Sequence, residues 1–133
     1  MTKAVILGAR RTPQGKMMGS LASLSAVQLG VIASKAALED SKIKTSDVEY
    51  CLFGNVLQAG LGQNPARQVA IGSGLDWDTV SITTNKLCLS GSTSIIDAAR
   101  LIVSGEAEVV LAGGMESMTN APHLLMNSRK GHM

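Results

Sequence analysis

Short apolar runs ending in glycine or small residues alternate with segments whose apolar residues recur at helical spacing, and this alternation most limits the possible folds. A strand buried on both faces reads as a continuous apolar run, and strands that alternate with helices build parallel sheets. Ala4 to Ala9 (AVILGA) is the first such run and is expected to be a buried parallel strand. Arg10, Arg11, Thr12 and Pro13 follow, then a glycine-bearing loop to about Ser23. Ser25 and Gln28 have the spacing of a capping box, and Leu29, Ile32, Ala33 and Ala36 continue a helix to about Asp40. Tyr50 to Phe53 forms a second strand that ends in Gly54 and Asn55.

Asn64 then caps a helix with Pro65 at its first position, the favoured place for proline. That helix runs through Ala66, Val69 and Ala70 and stops between Gly72 and Gly74. Val80 to Thr84 (VSITT) is β-branched and predicts a strand, with a turn over Asn85 to Gly91. Ser92 to Ser104 predicts a helix with Ile95, Ala98, Ala99 and Ile102 on one face and Gly105 as its stop. Val109 to Ala112 is the last strand, ended by Gly113 and Gly114, and no further element is expected beyond Met118. The expected fold is a layered α/β domain with a mostly parallel sheet between helices.

Composition narrows the function. Hydrophobic residues make up 45% and charged residues 17%, which excludes a disordered chain. A net charge of +2 is too small for a nucleic-acid binder, and one Phe, one Trp and one Tyr give no stacking platform for bases. Two cysteines make no secreted disulfide framework. Arg10 and Arg11 interrupt the N-terminal apolar run, so no signal peptide is expected, nor any run near the roughly 18 residues of a membrane helix. A cytoplasmic protein without nucleic-acid or membrane partners is the expectation. With so few aromatics, the core falls to small aliphatic residues, seven Met and 14 Gly. Such small residues suit close-packed layers, or a surface completed by more protein.

Cys88 is the candidate nucleophile. It stands between a strand and a helix, in Asn85-Lys86-Leu87-Cys88-Leu89-Ser90-Gly91. The first helical turn has unpaired N–H groups and about half a positive charge, which favour a thiolate. The same N–H groups can stabilise the oxyanion of a thioester, and Gly91 would let the backbone approach an acyl group. Buried structural cysteine is the competing reading, and it holds for Cys51, which lies mid-strand. A nucleophile needs a base, and the chain offers only His123 and His132, both outside any periodic element. Gly113-Gly114 and Gly8-Ala9-Arg10 fail the dinucleotide fingerprint, so no cofactor-binding residue is assigned. Glu106, Glu108 and Glu116 lack metal-ligand spacing, so no metal site is expected.

The motif Asn85-Lys86-Leu87-Cys88-Leu89-Ser90-Gly91 resembles the active-site cysteine motif of the thiolases. Ala112-Gly113-Gly114-Met115-Glu116-Ser117-Met118-Thr119-Asn120-Ala121-Pro122 resembles their second hallmark. Arg11-Thr12-Pro13, Gly54-Asn55-Val56-Leu57 and Gly62-Gln63-Asn64-Pro65-Ala66-Arg67-Gln68 are similar too, in the family's order. The last block is similar to the acetyl-CoA acetyltransferase branch. Leu89 departs from the pattern, which more often has Gly or Ala there.

The resemblance implies that Cys88 takes an acyl group from a coenzyme A thioester and passes it to coenzyme A or to a second acetyl-CoA, giving acetoacetyl-CoA. It implies that the Cys88 main-chain N–H serves one oxyanion hole, and that Met115, Glu116 and Ser117 shape the sheet end below the pocket. Acetyl-CoA and acetoacetyl-CoA would be the small-molecule partners. A homodimer or homotetramer would form through the strand at 80–84. Thiolases are longer, and their activating His, second Cys and second oxyanion hole lie in a C-terminal half. The chain is therefore expected to be an N-terminal part, with residues 1–118 as the domain core and 119–133 opening a loop region. By itself it is expected to be inactive. A non-catalytic interaction module is the alternative, and ketoacyl synthases fit the motifs less well.

Overall fold

The computed structural model describes residues 3–131. Three helices and three strands alternate: α1 (Ala26–Ser41), β1 (Tyr50–Gly54), α2 (Pro65–Gly72), β2 (Val80–Thr84), α3 (Ser90–Ser104) and β3 (Val110–Gly114). β1 lies in the middle of one sheet, parallel to both neighbours, with the strand order β2-β1-β3. Leu52 stands beside Ile82 on one side and Ala112 on the other, and Gly54 stands beside Thr84 and Gly114. Successive side chains of a strand point to opposite faces. Cys51 and Phe53 face α1 and α2, where Cys51 Sγ lies 3.5 Å from the Ala66 carbonyl oxygen. Leu52 and Gly54 face α3. The sheet is thus enclosed between two helical layers, as expected.

Local signals form the elements where the sequence places them. Ser25 Oγ accepts from the Gln28 N–H at 3.1 Å, and Gln28 Oε1 accepts from the Ser25 N–H at 2.8 Å, completing the capping box. Asn64 Oδ1 caps α2 through the Arg67 N–H, with Pro65 in the first turn. The core joins Ala26, Leu38, Val48, Cys51, Phe53, Ala66, Val69 and Met115. Each buried Val, Leu or Phe side chain there contributes about 1.5–3 kcal/mol.

Several expectations need correction. Ala4 to Ala9 is not a strand: it has no ladder partner among the described residues, and Val5, Ile6 and Leu7 are 69%, 77% and 57% exposed. An apolar run becomes a strand only where a neighbouring edge accepts its backbone groups. Here the run lies against the end of α1, with Gly8 so close to Ala37 and Ser41 that a Cβ would collide. Gly113 and Gly114 do not end β3 but belong to it, and the Phe53 ring occupies the space of a Gly113 Cβ.

α3 starts at Ser90 rather than Ser92, and its buried stripe is Ser90, Ser94 and Ala98, leaving Ile95 half exposed. α1 likewise buries Ala26, Gly30, Ser34 and Leu38, while Ile32 is exposed. In both helices small residues face the interior because the layers approach closely, and bulky residues turn outward. Beyond Met118 two short 3-10 turns occur, Met118–Asn120 and Ser128–Lys130.

The 18 residues Leu87–Ser104 have a mean hydropathy of 1.3, long and apolar enough to cross a membrane, against the expectation that no run reaches that length. They include the Asp97–Arg100 ion pair at 2.8 Å, and α3 packs on β1 and β3 as a helix that covers a sheet.

Candidate functional site

Glycine builds the site. A Cβ on Gly54 would strike the Ser90 carbonyl carbon and the Gly91 nitrogen, and would stand 2.6 Å from the Ser90 oxygen. One on Gly114 would stand 2.9 Å from Gly91 Cα. The first turn of α3 therefore rests directly on the ends of β1 and β3, backbone on backbone. The sequence expects Gly91 to make room for an acyl group, whereas its near neighbour in the fold is Gly114.

Cys88 lies two residues ahead of Ser90, on the elbow between β2 and α3, and is exposed. The elbow turns through Leu87, whose φ of +51° is the left-handed conformation that costs an ordinary residue about 1–2 kcal/mol. Its surroundings hold it there. Asn85 Oδ1 accepts from the Leu87 N–H at 3.1 Å, and Ser90 Oγ donates to the Leu87 oxygen at 2.6 Å. Ser90 Oγ also accepts from the Lys86 N–H at 2.8 Å. The hydrogen-bonded turn leaves Cys88 exposed just ahead of α3.

Cys51 is the opposite case. It is fully buried, and burial pushes its thiol up to about 12, with the Arg67 charge opposing weakly. It is a core residue, as the sequence predicts.

The second hallmark lies beside the elbow. Glu116 accepts from Asn55 Nδ2 at 2.8 Å, the Val56 N–H at 2.9 Å and the Leu57 N–H at 3.1 Å. Asn55 is buried, donates also to the Met115 oxygen at 3.1 Å, and leaves its Oδ1 unpaired. Sequence spacing did not reveal this network, because its partners lie about 60 residues apart.

Among the described residues no base is hydrogen-bonded to the Cys88 thiol. His123 is exposed, and among the described residues no hydrogen bond joins it to Cys88. His132 lies outside the described residues. A groove of about 270 Å³ lined by Leu52, Ile82, Thr84, Asp97, Arg100 and Leu101 lies between the sheet and α3, away from Cys88.

A parallel α/β layer with a cysteine on a strained strand-to-helix elbow defines a class of proteins that hold an exposed thiol at the end of a sheet. Comparison with known proteins makes this specific. The model of the thiolase N-terminal domain matches residues 4–133, and the chain belongs to the thiolase family. It is 55% identical over 132 residues to the Mycobacterium tuberculosis protein named "Probable acetyl-CoA acetyltransferase", covering 99% of this chain and 34% of that protein. With the Escherichia coli acetyl-CoA acetyltransferase it shares 49% identity over 133 residues, again covering 34% of the relative. A crystal structure of a thiolase from Ascaris suum in complex with coenzyme A superposes with a TM-score of 0.90 at 43% identity, covering 92% of this chain and 32% of that one. The chain spans about a third of the length of the relatives it matches.

Proposed function

We propose that Cys88 is the nucleophile of a thioester acyl transfer of the acetyl-CoA acetyltransferase kind. The observation that carries this is the elbow itself: an exposed thiol two residues before α3, on a backbone turn held in the left-handed region. Cys88 Sγ attacks the thioester carbonyl of acetyl-CoA, the bond from carbonyl carbon to the sulfur of coenzyme A breaks, and coenzyme A leaves with the thiol proton. The Cys88 N–H serves the oxyanion. The acetyl group then passes to a second acetyl-CoA whose methyl carbon has lost a proton, giving acetoacetyl-CoA and the free thiol.

The base for these proton transfers comes from outside residues 1–133 on this reading, and the chain alone turns over no acetoacetyl-CoA. Single acylation tests the nucleophile. At about pH 9, where thiols ionise without help, acetyl-CoA should label the Cys88 peptide and leave the Cys51 peptide unlabelled. Equal labelling of the Cys88→Ala variant refutes the assignment, and steady cleavage of acetoacetyl-CoA by the 133 residues refutes the external base.

A second element of the proposal is self-association through β2. This strand has β1 as its one ladder neighbour among the described residues, and Val80 and Ile82 on it are about half exposed. An open, apolar edge strand is a ready template for pairing with another copy. Exposed Ile95, Ile96 and Val103 on α3 also favour the reading of the chain as an interaction module, which Cys88 acylation would decide against.

A further inference from the structure

We propose that Glu116 is the positioning residue of the Cys88 elbow, acting through the 55–57 turn and Asn85. This rests on the reading of Cys88 as the nucleophile and goes beyond it by naming what holds the thiol in place.

The contacts form one continuous relay. The Glu116 carboxylate gathers the Val56 and Leu57 N–H groups and the Asn55 amide, three donors from one turn. A carboxylate that accepts several N–H groups makes charge-assisted bonds, about twice as strong as neutral ones. The gathered turn is in contact with the end of β2: the Asn55 N–H donates to the Thr84 oxygen at 3.0 Å, and Asn85 Nδ2 donates to the Val56 oxygen at 3.4 Å. Asn85 Oδ1 in turn accepts from the Leu87 N–H. Leu87 holds the left-handed φ, and Cys88 is the next residue.

A left-handed leucine persists only where its surroundings outweigh the strain. Ser90 secures the carbonyl side of Leu87, and Asn85 secures the amide side. Asn85 is exposed, so its side chain keeps one orientation only while the Val56 carbonyl stays in place. Glu116 is what keeps it in place. The carboxylate is anchored independently: the Met115 N–H donates to the Gly54 oxygen at 2.9 Å, and Ser117 Oγ donates to the Leu24 oxygen at 3.3 Å. Glu116 therefore joins the ends of β1 and β3 and transmits that rigidity to the elbow of β2. Losing it frees Asn85, relaxes Leu87 and swings Cys88 away from the α3 N-terminus.

The two thiols of the chain supply the test. Cys88 is exposed and Cys51 is fully buried, so alkylation of Cys88 reads the elbow and alkylation of Cys51 reads opening of the whole fold. In the full chain at one fixed pH, Glu116→Ala should slow iodoacetamide modification of Cys88 by at least about threefold, within the coupling shown by residues of one contact network. The Cys51 rate should stay unchanged. Glu116→Gln keeps one acceptor oxygen and should fall between wild type and Glu116→Ala. Asn85→Ala should slow Cys88 similarly, and the Glu116→Gln/Asn85→Ala pair should slow it no more than Asn85→Ala alone.

An unchanged Cys88 rate in Glu116→Ala overturns the proposal. So does equal acceleration of both thiols, which marks Glu116 as merely fold-bearing, and so does strict multiplication of the two single effects. If Glu116→Ala does not fold, Glu116→Gln and Asn85→Ala carry the same comparison. Acylation by acetyl-CoA plays no part in these arms, so failure of the relay stays distinct from failure of Cys88 as nucleophile.

Discussion

Replacing Gly54 with alanine tests whether backbone contact sets the site. The new Cβ would meet the Ser90 carbonyl carbon, the Gly91 nitrogen and the Ser90 oxygen, the last at 2.6 Å. All are main-chain atoms, so no rotamer change relieves the overlap. Either α3 lifts from β1, or β1 moves within a three-stranded sheet whose other face carries the core. Overpacking a tight site costs typically 1–3 kcal/mol, and contact with several backbone atoms puts this one at the top of that range, about 3 kcal/mol. The smaller entropy of an unfolded alanine returns about 0.4–1 kcal/mol, so the net loss should be about 2 kcal/mol or more.

Gly74→Ala is the matched control. Its φ is +85° and no atom lies within 4 Å, so only the left-handed penalty of about 1–2 kcal/mol applies. Urea unfolding of both variants, with m unchanged, gives the comparison. Because α3 carries the elbow, Gly54→Ala should also change the Cys88 alkylation rate in urea-free buffer, whereas Gly74→Ala should not. A Gly54→Ala protein within about 0.5 kcal/mol of wild type, with an unaltered Cys88 rate, refutes backbone contact as what positions the elbow.

Other substitutions probe separate links. The folded Cys51 thiol titrates near 12 against an ordinary value of 9.0, so its contribution to stability is complete below pH 9 and is lost as pH rises toward 12. Stability measured by urea between pH 9 and 10 should fall more steeply in wild type than in Cys51→Ala, and equal slopes would contradict the burial of this thiol. Ser25→Ala removes half of the capping box and should cost about 1 kcal/mol in the same assay; no change would show that α1 needs no cap. Arg67 donates to the Thr79 and Trp77 oxygens at 2.7 and 2.5 Å and lies 5.5 Å from the Trp77 ring centre. Arg67→Ala should lower stability by about 1–3 kcal/mol, and Trp77 fluorescence should shift with it. Ile82→Lys puts a charge on the open edge of β2 and should reduce any dimer seen by sedimentation; an unchanged dimer moves the interface elsewhere.

What the sequence reveals depends on how far a signal must travel along the chain. Ser25 with Gln28, and Asn64 with Pro65, work within three or four residues, and both caps form as written. β1, β2 and β3 are legible because each brings its own apolar or β-branched run to a shared sheet. Ala4 to Ala9 has the same kind of run but no strand partner among the described residues, and composition carries no record of whether a partner exists.

Helix faces were harder to read. Periodicity finds the bulky stripe and assigns it to the core, yet α1 and α3 bury Gly30, Ser34, Ser90 and Ser94 instead. Gly30 shows why: a Cβ there would stand 2.9 Å from both Met115 Sδ and Val69 Cγ2, so only a bare backbone fits. The place of Cys88 between β2 and α3 is legible in the sequence, whereas the grip of Glu116 on Val56 is not, since its donors come from a turn 60 residues earlier.

These observations locate the precision of the site. Side-chain packing in this chain is loose where it faces outward, with Ile95, Ile96 and Val103 about half exposed on α3. The first turn of α3, by contrast, rests on Gly54 and Gly114, where main chain meets main chain and small shifts are resisted. Backbone-on-backbone contact between β1, β3 and α3 needs nothing beyond these residues to define it. The position of Cys88 ahead of α3 is therefore set within these residues, which span about a third of the length of the relatives they match. On the proposed reading of Cys88 as the nucleophile, a thiol held in this way keeps its aim before a proton acceptor reaches it, which is the preorganisation that acyl transfer rewards.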